Sequence, residues 1–176
     1  MRIAELQQEF VLDCQYRPFP LHPETPDEGL TLVELFGGRT DVTAAMARMQ
    51  QVAATLGLPF ADRSRTFNSR KAQELGLWVA RQGAFAGWLD NVYRAYFVEG
   101  VNLGQTADLL KIVARTGLDS HEAAQVLEEQ RHAAELDQLW QQALTEGIRA
   151  VPTLRCEGRE LVGFQDLAAC RQLIRG

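Results

Sequence analysis

The chain has 176 residues, 46% hydrophobic and 23% charged, which excludes a disordered chain and suits one domain with room for an inserted subdomain. Its net charge of −5, with Lys71 and Lys111 the only lysines and the arginines scattered, excludes a basic footprint for nucleic acid. No apolar stretch approaches the roughly 20 residues that span a bilayer, and MRIAELQQEF holds no apolar signal-peptide core, so a soluble cytoplasmic protein with no membrane partner is expected.

Residues 2–10 place Ile3, Leu6 and Phe10 on one helical face and read as the tail of a helix with no cap before it. Residues 11–17 alternate Leu12, Cys14 and Tyr16 against Val11, Asp13 and Gln15, which is strand periodicity. Pro18, Pro20, Pro23 and Pro26 then impose an extended loop, since proline fixes φ and removes a backbone donor. From Asp41 to Gln130 the reading is almost wholly helical. Asp41 caps a helix whose inward face is Met46, Met49, Ala53 and Leu56, ending at Gly57. Asn68 caps a second, with Ala72, Leu75 and Val79 inward. The third carries Phe85, Trp88, Leu89, Val92, Tyr96 and Phe97, an aromatic face expected to be core rather than a ligand cage.

Residues 105–115 bring Leu109, Leu110, Ile112 and Val113, and Asp119 with Glu122 has capping-box spacing at the next helix start. A helix over about 131–146 follows and stops at Gly147. The period then switches. AVPTLRC and ELVG read as two strands around Glu157-Gly158-Arg159, and residues 165–175 close as a helix.

Cys14, Cys156 and Cys170 are widely spaced, with no CxxC and no Cys/His ligand cluster. They are expected as reduced, buried small hydrophobes, with no metal site. His22, His121 and His132 are isolated and expected to be structural or solvated. Asn68-Ser69-Arg70 has two readings, a helix cap with a solvated arginine, or a pocket edge holding a carboxylate.

The stretches RPFPLHPETPDEG, LFGGRTDV, FNSRKAQELGLW, YRAYFVEGVNLG and AVPT, followed by LVGFQ, resemble the FrnE-like branch of the DsbA family over essentially the whole chain. The resemblance implies an α/β, thioredoxin-like fold with a large helical insertion and its first β-strand missing. Residues 1–36 and 148–176 would form the partial thioredoxin-like domain, and 37–147 the insertion. It further implies protein disulfide oxidoreductase activity by family. That chemistry needs a low-pKa thiolate and a resolving cysteine, so this chain is expected to be redox-inactive as written.

Val151, Pro152 and Thr153 look like the family's cis-proline loop, which offers backbone groups to an extended peptide or a small thiol substrate. Gly163, Phe164 and Gln165, with Asn68 and Arg70, are the implied pocket. No resident cofactor is expected. Glutathione enters through similarity to kappa glutathione transferases and hydroxychromene carboxylate isomerases, and a non-catalytic binding or assembly protein is the further alternative. The implied missing strand would lie between 11–17 and 150–156. A truncated or mis-started chain is therefore expected, in which those two segments pair directly or a second copy fills the exposed edge to make a homodimer.

Overall fold

A computed structural model describes residues 2–176. The first helix, α1, spans Arg2–Glu9. A loop leads to the short strand β1 (Leu30–Thr31) and to helices α2 (Leu32–Phe36) and α3 (Val42–Thr55). Strand β2 (Arg65–Thr66) precedes α4 (Arg70–Arg81), α5 (Phe85–Phe97), α6 (Thr106–Ala114), α7 (Ser120–Glu128) and α8 (Ala133–Thr145). Strands β3 (Thr153–Cys156) and β4 (Arg159–Val162) and helix α9 (Leu167–Arg175) complete the chain. The chain forms two compact units, residues 1–21 with 137–176, and residues 22–136.

In the helical unit, α4, α5, α6 and α7 converge on an apolar core of which Leu75, Val79, Leu109, Val113 and Val126 are fully buried. Their spacing is the reason they meet: Leu75 and Val79 lie four apart, as do Leu109 and Val113, so each pair stacks on one helical face. Gly76 lets α4 approach α5, since a Cβ there would stand 3.2 Å from Trp88 Nε1. Tyr96 and Phe97 are half-buried and make ring contacts with Phe60, Phe67 and Tyr93, with Tyr96 also packed against the core, so the aromatic face of α5 is buried only in part.

The second part of the proline-rich loop, from His22 onward, belongs to this unit. Hydrogen bonds hold it there. Asn68 Nδ2 donates to the Thr25 carbonyl (2.6 Å), Lys71 Nζ to Asp27 Oδ2 (2.5 Å) and the Gly104 carbonyl (2.9 Å), and Asn102 Nδ2 to the Asp27 carbonyl (2.9 Å). The residues carrying three of the conspicuous sequence phrases thus form one latch.

In the other unit, β3 and β4 make an antiparallel hairpin from Thr153↔Val162 to Cys156↔Arg159. Its turn is the two-residue Glu157-Gly158, both at positive φ (49° and 80°), which matches strand twist; Arg159 is in the ladder rather than in the turn. Arg159 also donates to the Leu173 and Ile174 carbonyls at the end of α9. Glu9 takes two hydrogen bonds from Arg171, and these hold its carboxyl below the ordinary range. Leu6, Cys170 and Leu173 are the buried apolar residues of α1 and α9.

Several local expectations need correction. Residues 11–17 form no strand, although burial still alternates from Val11 to Gln15. An extended segment becomes a strand only when a ladder satisfies its backbone groups, and among the described residues β3 pairs with β4 alone, so residues 11–17 have no ladder with 150–156. Met49 is exposed (45%), since α3 buries only Met46 and Ala53. Ser69, not Asn68, is the cap position of α4, while Asn68 Oδ1 accepts from Arg70 N–H at 2.8 Å. Asp119 caps α7 through His121 N–H. A full capping box forms instead at Thr31 and Glu34, which open α2. β1 and β2 interrupt the loop and the helical block that the periodicity suggested, pairing Leu30↔Thr66 and Thr31↔Arg65.

Candidate functional site

The candidate site is built on the loop from Ala150 to Thr153, just before β3. Its Val151–Pro152 peptide bond is cis. Two hydrogen bonds fix its shape: Thr153 Oγ1 donates to the Ala150 carbonyl (2.7 Å), and Gly163 N–H donates to the Pro152 carbonyl (2.8 Å). Gly163, at φ +77°, can adopt this left-handed conformation without the cost a Cβ would bring. Gln165 Nε2 donates to the Val162 carbonyl at 2.8 Å and steadies the exit of β4.

The neighbouring surface is apolar and open. Val151, Val162 and Phe164 are 45%, 46% and 55% exposed. Neither the backbone N–H nor the C=O of Val151 takes a hydrogen bond within the described residues. β3 has one ladder partner, β4, so its other edge faces no strand among the described residues. Such an edge can take an extended chain, backbone pairing giving affinity and side-chain contacts giving selectivity. Arg155, on β3, is held by Glu146 and Glu160 and leaves no uncompensated cation there.

Val151, Pro152, Thr153, Gly163, Phe164 and Gln165 all lie in the unit of residues 1–21 and 137–176, whereas Asn68 and Arg70 lie in the helical unit. Both ends of the Asn68 amide are engaged, by Thr25, Pro23 and Arg70. Asn68→Ala is expected to destabilise the protein by about 1–2 kcal/mol, because it leaves the carbonyl of the buried Thr25 and the N–H of the half-buried Arg70 without their partner. Urea denaturation checks this, and an unchanged midpoint would contradict the structural role.

Cys14 and Cys156 are half-buried and Cys170 is buried, all three as free thiols. No group of three His, Cys, Asp or Glu among the described residues could hold a metal ion. His132 faces Glu135 (3.2 Å), whose carboxyl lies below its ordinary range chiefly because Arg81 hydrogen-bonds it. His22 approaches Glu24 and His121 approaches Gln125, both at the surface. Sequence reasoning missed Arg63, which stacks on Tyr96 with its guanidinium carbon 4.0 Å from the ring centroid. A contact across 33 positions leaves no periodic signal.

The family model for the DSBA-like thioredoxin domain matches residues 1–175. The chain belongs to the DsbA-like thioredoxin family.

The DsbA-like chain is similar in structure to a protein from Streptomyces coelicolor described as a probable DsbA oxidoreductase. The TM-score is 0.87 at 20% identity, covering 97% of this chain and 79% of that one. It is also similar to a protein from Nitrosomonas europaea described as a protein disulfide isomerase, with a TM-score of 0.72 at 16% identity over 98% of this chain and 85% of that one. At these identities the likeness establishes the fold. The DsbA-like thioredoxin fold is here a mixed α/β structure whose described residues form small two-stranded sheets and a large helical block. No curated protein sequence matches the DsbA-like chain significantly. No described helix is long and apolar enough to cross a membrane.

Proposed function

We propose that this DsbA-like chain, of the FrnE-like branch, binds an extended peptide along residues 150–153 and the open edge of β3, and that residues 1–176 alone do not turn over disulfides. The observation carrying this reading is the unengaged backbone N–H and C=O of Val151 beside the exposed Val162 and Phe164. Family membership supports a thiol–disulfide setting for that peptide. Turnover requires an accessible thiolate and a second thiol to resolve the mixed disulfide. The sequence offers three cysteines, none within three positions of another. Without peptide, a second copy occupies the same edge, since an unpaired strand edge templates further pairing.

The test uses the chain of residues 1–176 with insulin as disulfide substrate and a fluorescent, reduced insulin B chain as peptide. Insulin reduction is expected at the uncatalysed rate, while the B chain binds saturably. Val151→Glu and Phe164→Ser are each expected to weaken that binding about tenfold, or 1.4 kcal/mol. Light scattering should show a dimer that the peptide converts to monomer. Rapid insulin reduction, or variants that bind as tightly as the parent, would overturn the reading.

A further inference from the structure

The helical unit holds an open groove of about 510 Å³ between α2, α3 and residues 62–64. The wall from α2 and α3 is formed by Leu32, Val33, Val42, Met46 and Ala47, with Thr43 and Gln50 of α3 among them. It follows from helical spacing, because Val42, Met46 and Ala47 share one face of α3. The opposite rim is polar and carries Arg63.

Arg63 is held more firmly than a surface arginine. Its guanidinium lies over the rings of Tyr96 (4.0 Å) and Phe97 (5.1 Å), and Nη2 donates to the Tyr96 hydroxyl and the Arg65 carbonyl. Tyr96 is itself fixed by Thr66, at 2.9 Å between hydroxyl oxygens. Despite this half-buried position, no ion pair among the described residues includes Arg63. Arg81, Arg94, Arg115, Arg131, Arg155 and Arg171 all have carboxylate partners. Asp62 also lines the groove but is exposed, where water screens its charge.

We propose that this groove binds a small amphipathic carboxylate, its apolar tail against α2 and α3 and its carboxylate on Arg63. A planar guanidinium already oriented by aromatic stacking loses little freedom on taking a carboxylate. The volume lies in the range of small-ligand sites, and of the two charges lining this open groove, Arg63 is the one fixed by stacking and hydrogen bonds. This site is separate in chemistry from the peptide edge and stands or falls independently of it.

Calorimetric titration of the full chain with octanoate and 3-phenylpropionate tests the proposal. At least one is expected to bind saturably, with Kd near 1 mM or tighter. 1-Octanol, which has the tail without the charge, should bind at least tenfold more weakly than octanoate. Arg63→Gln should weaken carboxylate binding at least tenfold while leaving 1-octanol unaffected. Ala47→Trp, which fills the groove and leaves Arg63 intact, should abolish binding of both. No saturable binding by either carboxylate, equal binding of octanol, or carboxylate binding that survives Ala47→Trp overturns the assignment.

Discussion

Gly29→Ala is expected to destabilise the helical unit by about 3 kcal/mol or more, and Gly104→Ala by about 2 kcal/mol or more. Gly29 sits at φ +81°, where an L side chain is strained, and an added Cβ would overlap the Thr66 carbonyl and the Phe67 ring. Relief would require β1 to part from β2. At Gly104 the obstruction is the backbone of Asp27, with its carbonyl oxygen 2.5 Å and its Cα 2.9 Å from the added atom. That backbone is anchored by Asn102, and Lys71 ties the Asp27 side chain to the Gly104 carbonyl. The loop cannot yield without breaking the latch. Gly87 is the control: it lies inside α5 with open space around it, so alanine there should stabilise by about 0.5–1 kcal/mol. Urea denaturation of the three variants decides the matter, and a Gly29→Ala protein as stable as the parent would refute the close approach.

Leu75→Ala should remove about 3–4 kcal/mol, a large share of a domain's ordinary 5–15 kcal/mol. Leu75 is fully buried on α4 among the residues that join α4, α5, α6 and α7. Truncation loses the transfer free energy of its methyl groups and leaves a cavity that four packed helices cannot collapse. Leu58→Ala, at a site 40% exposed, should change stability by no more than about 0.5 kcal/mol. A loss below about 1 kcal/mol for Leu75→Ala would mean that the helical core is packed differently.

Much of the helical unit was legible because its signals are local. Three- and four-residue spacing placed Leu75 with Val79 and Leu109 with Val113, and Asp41 announced the start of α3. The hairpin was readable from alternation around Glu157-Gly158-Arg159, although Arg159 proved to lie in the ladder. Residues 11–17 misled because alternation reports which face is buried, not whether a ladder exists. β1 and β2 escaped notice for the complementary reason: two-residue strands carry no period, and their partners lie 36 and 34 positions apart. Of the candidate site, the loop 150–153 was visible as AVPT, but its open hydrogen-bonding groups were not.

By itself the order of residues determined the longer helices, most of their inward faces, the hairpin and the family resemblance, since each rests on neighbours a few positions apart or on short phrases. Only the tertiary structure decided what distant side chains do. Only the fold brings the Thr25 carbonyl within 2.6 Å of Asn68 Nδ2 and lays Tyr96 beneath Arg63. Those roles depend on contacts between segments 33 to 43 residues apart, which exist only once the α4–α7 core has closed and drawn the loops against it.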